Sequence, residues 1–265
     1  MLHVLNTRPT ERADGLNQAL QQAGYRVSAL PLLELVAEPL DTIQQPLAEI
    51  RQVAVVVVVS PAAAQLGLDA LKQLNIVPSQ LTCQWVAVGQ GTATVLAQAG
   101  IKAHIPLLET SEGMLALDVF QQDSHSPASK IIMFWRGHGG RQFMLRQLTS
   151  QQQVISVNLY HRQLPEHSQL NYQQLFNNPP QVLLISSGVS WQNWLQLGQQ
   201  FGPIVPEYIL VLGQRIYQKI SRQAHTLHRF GPDGKAVYPK AMLLESLNPA
   251  TIVAVLDQLQ KCQQT

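Results

Sequence analysis

Two periods alternate along the chain. Short β-branched and apolar runs recur at residues 2–5, 26–30, 53–59, 84–89, 102–106, 130–135, 154–160, 182–187, 208–213 and 224–230. Longer stretches with apolar residues spaced a helical turn apart lie between most of them. Residues 12–24 place Leu16 and Leu20 one turn apart and stop at Gly24, and residues 91–100 stop at Gly100 in the same way. The block "VAVVVVV" (53–59) reads as a central strand buried on both faces of a parallel sheet. It is far short of the roughly 20 residues that a membrane helix needs. Strand and helix in alternation predict an α/β protein with parallel sheets.

The order also repeats. "LNQALQQAGYRV" (16–27) is similar to "LRQLTSQQQVI" (145–155), "VVVVVSPAAAQ" (55–65) to "VLLISSGVSWQ" (182–192), and "WVAVGQGTATVLAQAG" (85–100) to "ILVLGQRIYQKISRQA" (209–224). The landmark pairs Arg8/Arg136, Ser60/Ser186 and Gly89/Gly213 have offsets of 128, 126 and 124. So long a period means two similar units, not a solenoid. Two extended, proline-flanked stretches follow the second strand of each repeat: "LPLLELVAEP" (30–39) and "LYHRQLPEH" (159–167). If the chain crosses at both, domain one is discontinuous, combining 1–33 with 163–265. Domain two is then 37–158, with linker strands at 34–36 and 159–162 forming a hinge.

Composition narrows the class. In 265 residues, 46% apolar and 13% charged is a globular composition. A net charge of +2 does not suggest a nucleic-acid partner. Cys83 and Cys262 lack metal-type spacing and read as two reduced thiols, and no signal-peptide pattern opens the chain. The expectation is a cytoplasmic, monomeric protein with no membrane partner.

Motifs narrow the chemistry further. "RGHGGRQ" (136–142) closes a strand with a glycine-rich, Arg-bearing turn. It is neither a dinucleotide fingerprint, since position 142 is Gln, nor a Walker loop. Ser60 and Ser187 lack the nucleophile elbow of hydrolases. His225 and His228, or His161 and His167, have no acidic or cysteine ligands clustered with them, so packing or surface roles are expected and no metal. Open α/β sheets bind ligands at the C-terminal ends of their strands. Ser60, Gly89, Thr92, Gly137, Gly140, Ser187 and Gly213 fall at such ends. Ordinary turn and N-cap chemistry would also place those residue types there.

A series of short signatures runs in order over nearly the whole chain: "VLNTRP" (4–9), "VVSPAAA" (58–64), "VAVGQGTATVLAQAG" (86–100), "TSEGML" (110–115), "WRGHGGRQFMLRQL" (135–148), "VNLYHR" (157–162), "LLISSGVSWQNW" (183–194) and "VLGQRI" (211–216). In this series the chain resembles the uroporphyrinogen-III synthase family. The resemblance implies two flavodoxin-like α/β domains joined by a two-stranded linker. It also implies a cofactor-free lyase that converts hydroxymethylbilane, a flexible polycarboxylate, into uroporphyrinogen III. The glycine-rich turns would then hold carboxylates through backbone N–H groups, with Ser111 among the contacts. Arg8 and Arg141 would add charge-assisted bonds. Tyr160 matches the family tyrosine and is the candidate proton donor. One departure stands out: Ile216 falls where the turn at Gly213 would carry Thr, the place that Thr92 holds after Gly89. A rival reading is a two-domain tetrapyrrole binder or sensor without catalysis.

Overall fold

The computed structural model describes residues 1–120, 130–139, 142–150, 152–224, 227–230 and 234–262. Contacts divide the chain into two units, Met1–Glu34 with Gln163–Thr265, and Leu35–Arg162. The first unit opens with β1 (His3–Asn6), α1 (Thr10–Gln22) and β2 (Arg26–Ala29). The second holds β3 (Glu34–Ala37), α2 (Leu40–Ala48), β4 (Val55–Val58), α3 (Pro61–Gln73), β5 (Gln84–Ala87), α4 (Gln90–Gln98), β6 (Ala103–His104), α5 (Ser111–Leu115), β7 (Ile131–Gly137), α6 (Phe143–Thr149) and β8 (Gln153–Gln163). The chain then completes the first unit with α7 (Ser168–Gln174), β9 (Val182–Ile185), α8 (Gly188–Phe201), β10 (Tyr208–Leu212), α9 (Gln214–Gln223), β11 (Arg229–Phe230), β12 (Ala236–Val237), β13 (Lys240–Leu244) and α10 (Pro249–Cys262).

The sheet order explains the sequence repeat. One sheet runs β13-β10-β9-β1-β2, the other β3-β8-β7-β4-β5-β6. The pairings of β1, β2, β9, β10 and β13, and those of β4 to β8, are parallel. Strands can be counted from the start of each repeat, with β1 and β2 opening the first and β7 and β8 the second. Both sheets then read 2-1-3-4-5, the flavodoxin-like order, with β3 as an added edge. Each sheet therefore takes its first two strands from one repeat and its last three from the other.

Each sheet is packed on both faces, which is why its central strands are apolar without alternation. Val56 and Val58 of β4 join Trp135, Met133 and the α3 residues Ala63, Ala64 and Leu71 in one cluster. Val55 and Val57 face the other way, toward Phe134, Ile132, Met114 and Met144. In the first unit, Leu5, Leu183 and Ile209 pack on Trp191 and Trp194. There, Val4, Leu184 and Leu210 meet Leu16 and Leu20 of α1 and Leu256 of α10. One glycine is set by close approach: a Cβ on Gly67 would lie 2.2 Å from the Trp135 ring, so α3 reaches the sheet only without a side chain there.

Two elements depart from the sequence expectation. The run 224–230 is not a sheet strand among its described residues; Arg229–Phe230 pairs antiparallel with Ala236–Val237 as a small ribbon. His225 lies outside the described residues. The fifth strand of the first sheet is β13, parallel to β10 with Leu212 opposite Leu244. The run 102–106 shortens to the two residues of β6. The expected linker strands at 34–36 and 159–162 fall within β3 and β8, which are neighbours at the edge of one sheet.

Candidate active site

The C-terminal strand ends of Leu35–Arg162 surround a cavity of about 400 Å3. Its lining includes Ser60 after β4, Glu109 and Thr110 before α5, Arg136 and Gly137 at the end of β7, Met144 of α6, and Tyr160 and Arg162 of β8. The polar groups come from strand ends and the segment before α5, and Met114 of α5 and Met144 and Leu145 of α6 add apolar wall. Apolar walls with a few convergent polar groups are the usual make-up of a small-molecule pocket.

Tyr160 reaches this cavity through a local irregularity. Arg136 pairs with Asn158, but Gly137 pairs with Tyr160, so β8 carries one residue more than β7 at this point. Such a bulge re-aims the side chains that follow it. Tyr160 is 2% exposed. Its ring leaves no room for a side chain at position 137, where a Cβ would lie 2.3 Å from the ring edge. The Tyr160 hydroxyl is 3.2 Å from Ser60 Oγ. Ser60 Oγ in turn accepts from the Ala63 backbone N–H at 3.0 Å, capping α3 ahead of Pro61 at its first position.

Two cations flank the phenol. Arg136 is 7% exposed, and its Nε donates to the Gly137 carbonyl at 3.5 Å. Burial pulls its pKa below the ordinary arginine value, and the Tyr160 phenol opposes that shift. Arg162 donates to the Tyr160 oxygen at 3.3 Å and lies over its ring, 5.3 Å from the centroid. One carboxylate shares the cavity wall: Glu109 Oε1 accepts from the Gln90 backbone N–H at 2.9 Å, at the N-terminus of α4. There the positive end of the helix dipole favours an anion.

The expected site residues separate by unit. Ser60, Gly137 and Tyr160 meet in the cavity just described. Gly89 precedes α4, and the Glu109 carboxylate lies where its Cβ would be, 2.3 Å away. Thr92 is 1% exposed inside α4 and lies outside the cavity lining. Gly140 and Arg141 lie outside the described residues, as does the side chain of Ser111. Arg8, Ser187 and Gly213 belong to the other unit. Arg8 is half-buried, with its pKa lowered by burial and then by the charge of Arg12. Ser187 Oγ caps α8 by accepting from the Ser190 N–H at 3.0 Å, which makes it the counterpart of Ser60 in place of Ser186. Gly213 precedes α9 with φ at 91°, and Ile216 packs against the core below it.

Sequence reasoning passed over Glu109 and Arg162, and used Arg136 only as a repeat landmark. The first two are charges in loop and strand-end positions, and only "VNLYHR" carried a trace of the second. The histidines also regroup. His161 Nδ1 is 2.6 Å and His138 Nε2 is 3.4 Å from Glu38 Oε1, while His228 packs on Phe230 and Tyr238. Among the described residues no group of three or more His, Cys, Asp or Glu is arranged to hold a metal ion.

Comparison with known proteins decides the family. The sequence model described as uroporphyrinogen-III synthase HemD matches residues 14–221. The chain belongs to the uroporphyrinogen-III synthase family. Solved structures agree at the level of fold. A mutant uroporphyrinogen III synthase from the extremely thermophilic bacterium Thermus thermophilus superposes with a TM-score of 0.64 at 13% identity, covering 98% of this chain and 100% of that one. A uroporphyrinogen-III synthetase from Helicobacter pylori gives 0.57 at 12% identity over 98% of this chain and 100% of the other. Membership in the uroporphyrinogen-III synthase family makes this an enzyme family of porphyrin and heme biosynthesis, acting on a small tetrapyrrole substrate. Among the described residues no helix is long and apolar enough to cross a membrane.

Proposed function

We propose that this protein is a cytoplasmic uroporphyrinogen-III synthase, a lyase that closes hydroxymethylbilane to uroporphyrinogen III with inversion of ring D and loss of one water. The observation that carries the reading is a tyrosine hydroxyl at a half-apolar cavity between two arginines, in a chain of this family. The product is the substrate less water, so no oxidant or reductant enters, and the work is positioning and charge stabilisation.

The proton count closes on Tyr160. As the bond from carbon to the terminal hydroxyl breaks, the electron pair leaves with oxygen, which takes the phenol proton and departs as water. The resulting azafulvene is attacked by the substituted carbon of ring D, giving a spiro intermediate. The bond from that carbon to its original methylene bridge then breaks, leaving ring D on its new bond and an azafulvene on ring C, and the free α-carbon of ring D attacks that azafulvene. The hydrogen displaced there returns as a proton to the phenolate. Substrate carboxylates are held by backbone N–H groups at strand ends, among them the turns at Gly89, Gly137, Gly140 and Gly213 and the segment beginning at Ser111. Ser60 and Ser187 cap helices at the same set of strand ends, and Arg8 and Arg141 add charge-assisted bonds.

The isomer of the product tests the reading. Hydroxymethylbilane alone closes to the type I isomer, without ring inversion. Incubating it with the protein and separating the products by chromatography is expected to give type III. Type I only, formed at the spontaneous rate, would overturn the assignment and favour a binder without catalysis.

A further inference from the structure

Arg162 makes three contacts around one point. Its guanidinium donates to the Tyr160 oxygen and to the His138 carbonyl, each at 3.3 Å, and it lies across the face of the Tyr160 ring at 5.3 Å. The segment it grips is itself fixed, since the His138 N–H donates to the Tyr160 carbonyl at 2.8 Å. An otherwise exposed side chain is thus held against a buried phenol.

The hydrogen-bond roles follow from the donor inventory. A guanidinium only donates, so the Tyr160 oxygen must accept from Arg162. The phenol's own proton therefore points away from Arg162, toward Ser60 Oγ or the cavity. Ser60 Oγ already accepts from the Ala63 N–H at 3.0 Å. It can also donate its hydroxyl hydrogen to the Tyr160 oxygen, which then presents its proton to the cavity alone. The positive charge of Arg162 sits beside the atom that becomes negative when that proton leaves. Charge-assisted bonds of this kind are stronger than neutral ones, and a donor fixed in advance needs no reorganisation during the step.

We infer that Arg162 is a positioning residue for Tyr160: it directs the phenol proton into the cavity and steadies the phenolate formed when the substrate hydroxyl leaves as water. The inference rests on Tyr160 being the proton donor, as proposed above.

Steady-state kinetics on Arg162→Ala, Arg162→Lys, Tyr160→Phe and the Arg162→Ala/Tyr160→Phe double variant test it. Arg162→Ala is expected to lower kcat roughly tenfold, the low end for a hydrogen bond to a charged group, with KM changed less than about twofold. Arg162→Lys keeps a donating cation and is expected to recover most of the rate. In the Tyr160→Phe background, Arg162→Ala is expected to cost nothing more, because the group it serves is gone. A raised KM at unchanged kcat would overturn the inference and make Arg162 a direct contact to substrate acids. So would an equal loss with and without the Tyr160 hydroxyl, or wild-type rates for Arg162→Ala. If Tyr160→Phe itself runs at full rate, the proton-donor reading falls first. If Tyr160→Phe is slow and Arg162→Ala is not, only this inference falls.

Discussion

The two sheets are built to the same 2-1-3-4-5 plan from exchanged halves of one repeat, yet their strand ends differ in chemistry. At the ends within Leu35–Arg162, Ser60 caps α3 and also meets a tyrosine hydroxyl. At the matching place in the other unit, Ser187 caps α8 and meets Ser190 Oγ at 2.7 Å. Arg136 is buried and lines the same cavity as Tyr160, whereas its counterpart Arg8, 128 residues earlier, is half-buried and feels the charge of Arg12. Moving back from Tyr160 by the same 128 residues leads to Leu32, fully buried and apolar. The duplicated scaffold supplies caps and backbone donors at both sets of ends. Among the described residues, a tyrosine hydroxyl with a serine and an arginine beside it stands where β8 bulges.

The sharpest way to break that contrast is at the glycines. Gly137→Ala would push its Cβ to 2.3 Å from the Tyr160 ring, so the ring must move. The expected loss in kcat is about 10²-fold or more, as large as losing general acid catalysis at its low end. Gly213→Ala meets open space and is strained only by its φ of 91°. It should cost about 1–3 kcal/mol in urea unfolding and leave kcat unchanged, any weakening of the carboxylate hold at that turn being read in KM. Reversed outcomes would mean that the two strand ends have been assigned the wrong way round.

The paired cap variants should separate stability from turnover. Ser60→Ala and Ser187→Ala each remove one N-cap bond and should each lower stability by about 1 kcal/mol. Only Ser60→Ala should slow the reaction, by a few-fold, because only Ser60 touches Tyr160. Equal kinetic effects from both would erase the distinction.

Acid should affect the two units unequally, and this is the smallest effect expected. His3 is buried, and burial followed by the charge of Arg26 lowers its pKa from 6.5. The unfolded chain therefore binds this proton more readily than the folded one. The stability linked to neutral His3 is present above pH 6.5 and declines as pH falls below it. Hydrogen exchange about one pH unit above and one below that value should show faster opening at low pH in the β1, β2 and β9 region, and His3→Gln should lessen that dependence. Uniform acceleration in both units would assign the acid effect elsewhere.

Much of the fold is legible before any coordinates. The β-branched runs mark the parallel strands because a strand covered on both faces must be apolar at every position, as in "VVVV" of β4. The offset between repeats carries the duplicated strand order. What escapes has physical reasons. β13 stands behind a turn-rich segment, "GPDGKAVYP", and only its last leucines look like a strand. β6 is too short to show a period. Thr92 looks like a site residue and is buried, while Ile216, which looks like a lost contact, packs on the core at the matching turn. Tyr160 is singled out only by the family motif, since the periodic pattern makes it merely the end of a strand. Glu109 and Arg162 are charges in a loop and at a strand end, and their relevance comes from distances across the sheet that no local spacing encodes.

The central claim is that proton chemistry resides at the strand ends around Tyr160. Single-turnover conversion of hydroxymethylbilane by Tyr160→Phe, with the isomers separated, tests it most directly. The variant keeps the ring and loses one hydroxyl, so folding and the Gly137 contact should persist. The expected result is a rate about 10²-fold lower, with the enzyme-formed product still type III because geometry selects the ring inversion. Turnover at the wild-type rate would contradict the claim and leave positioning alone to account for catalysis.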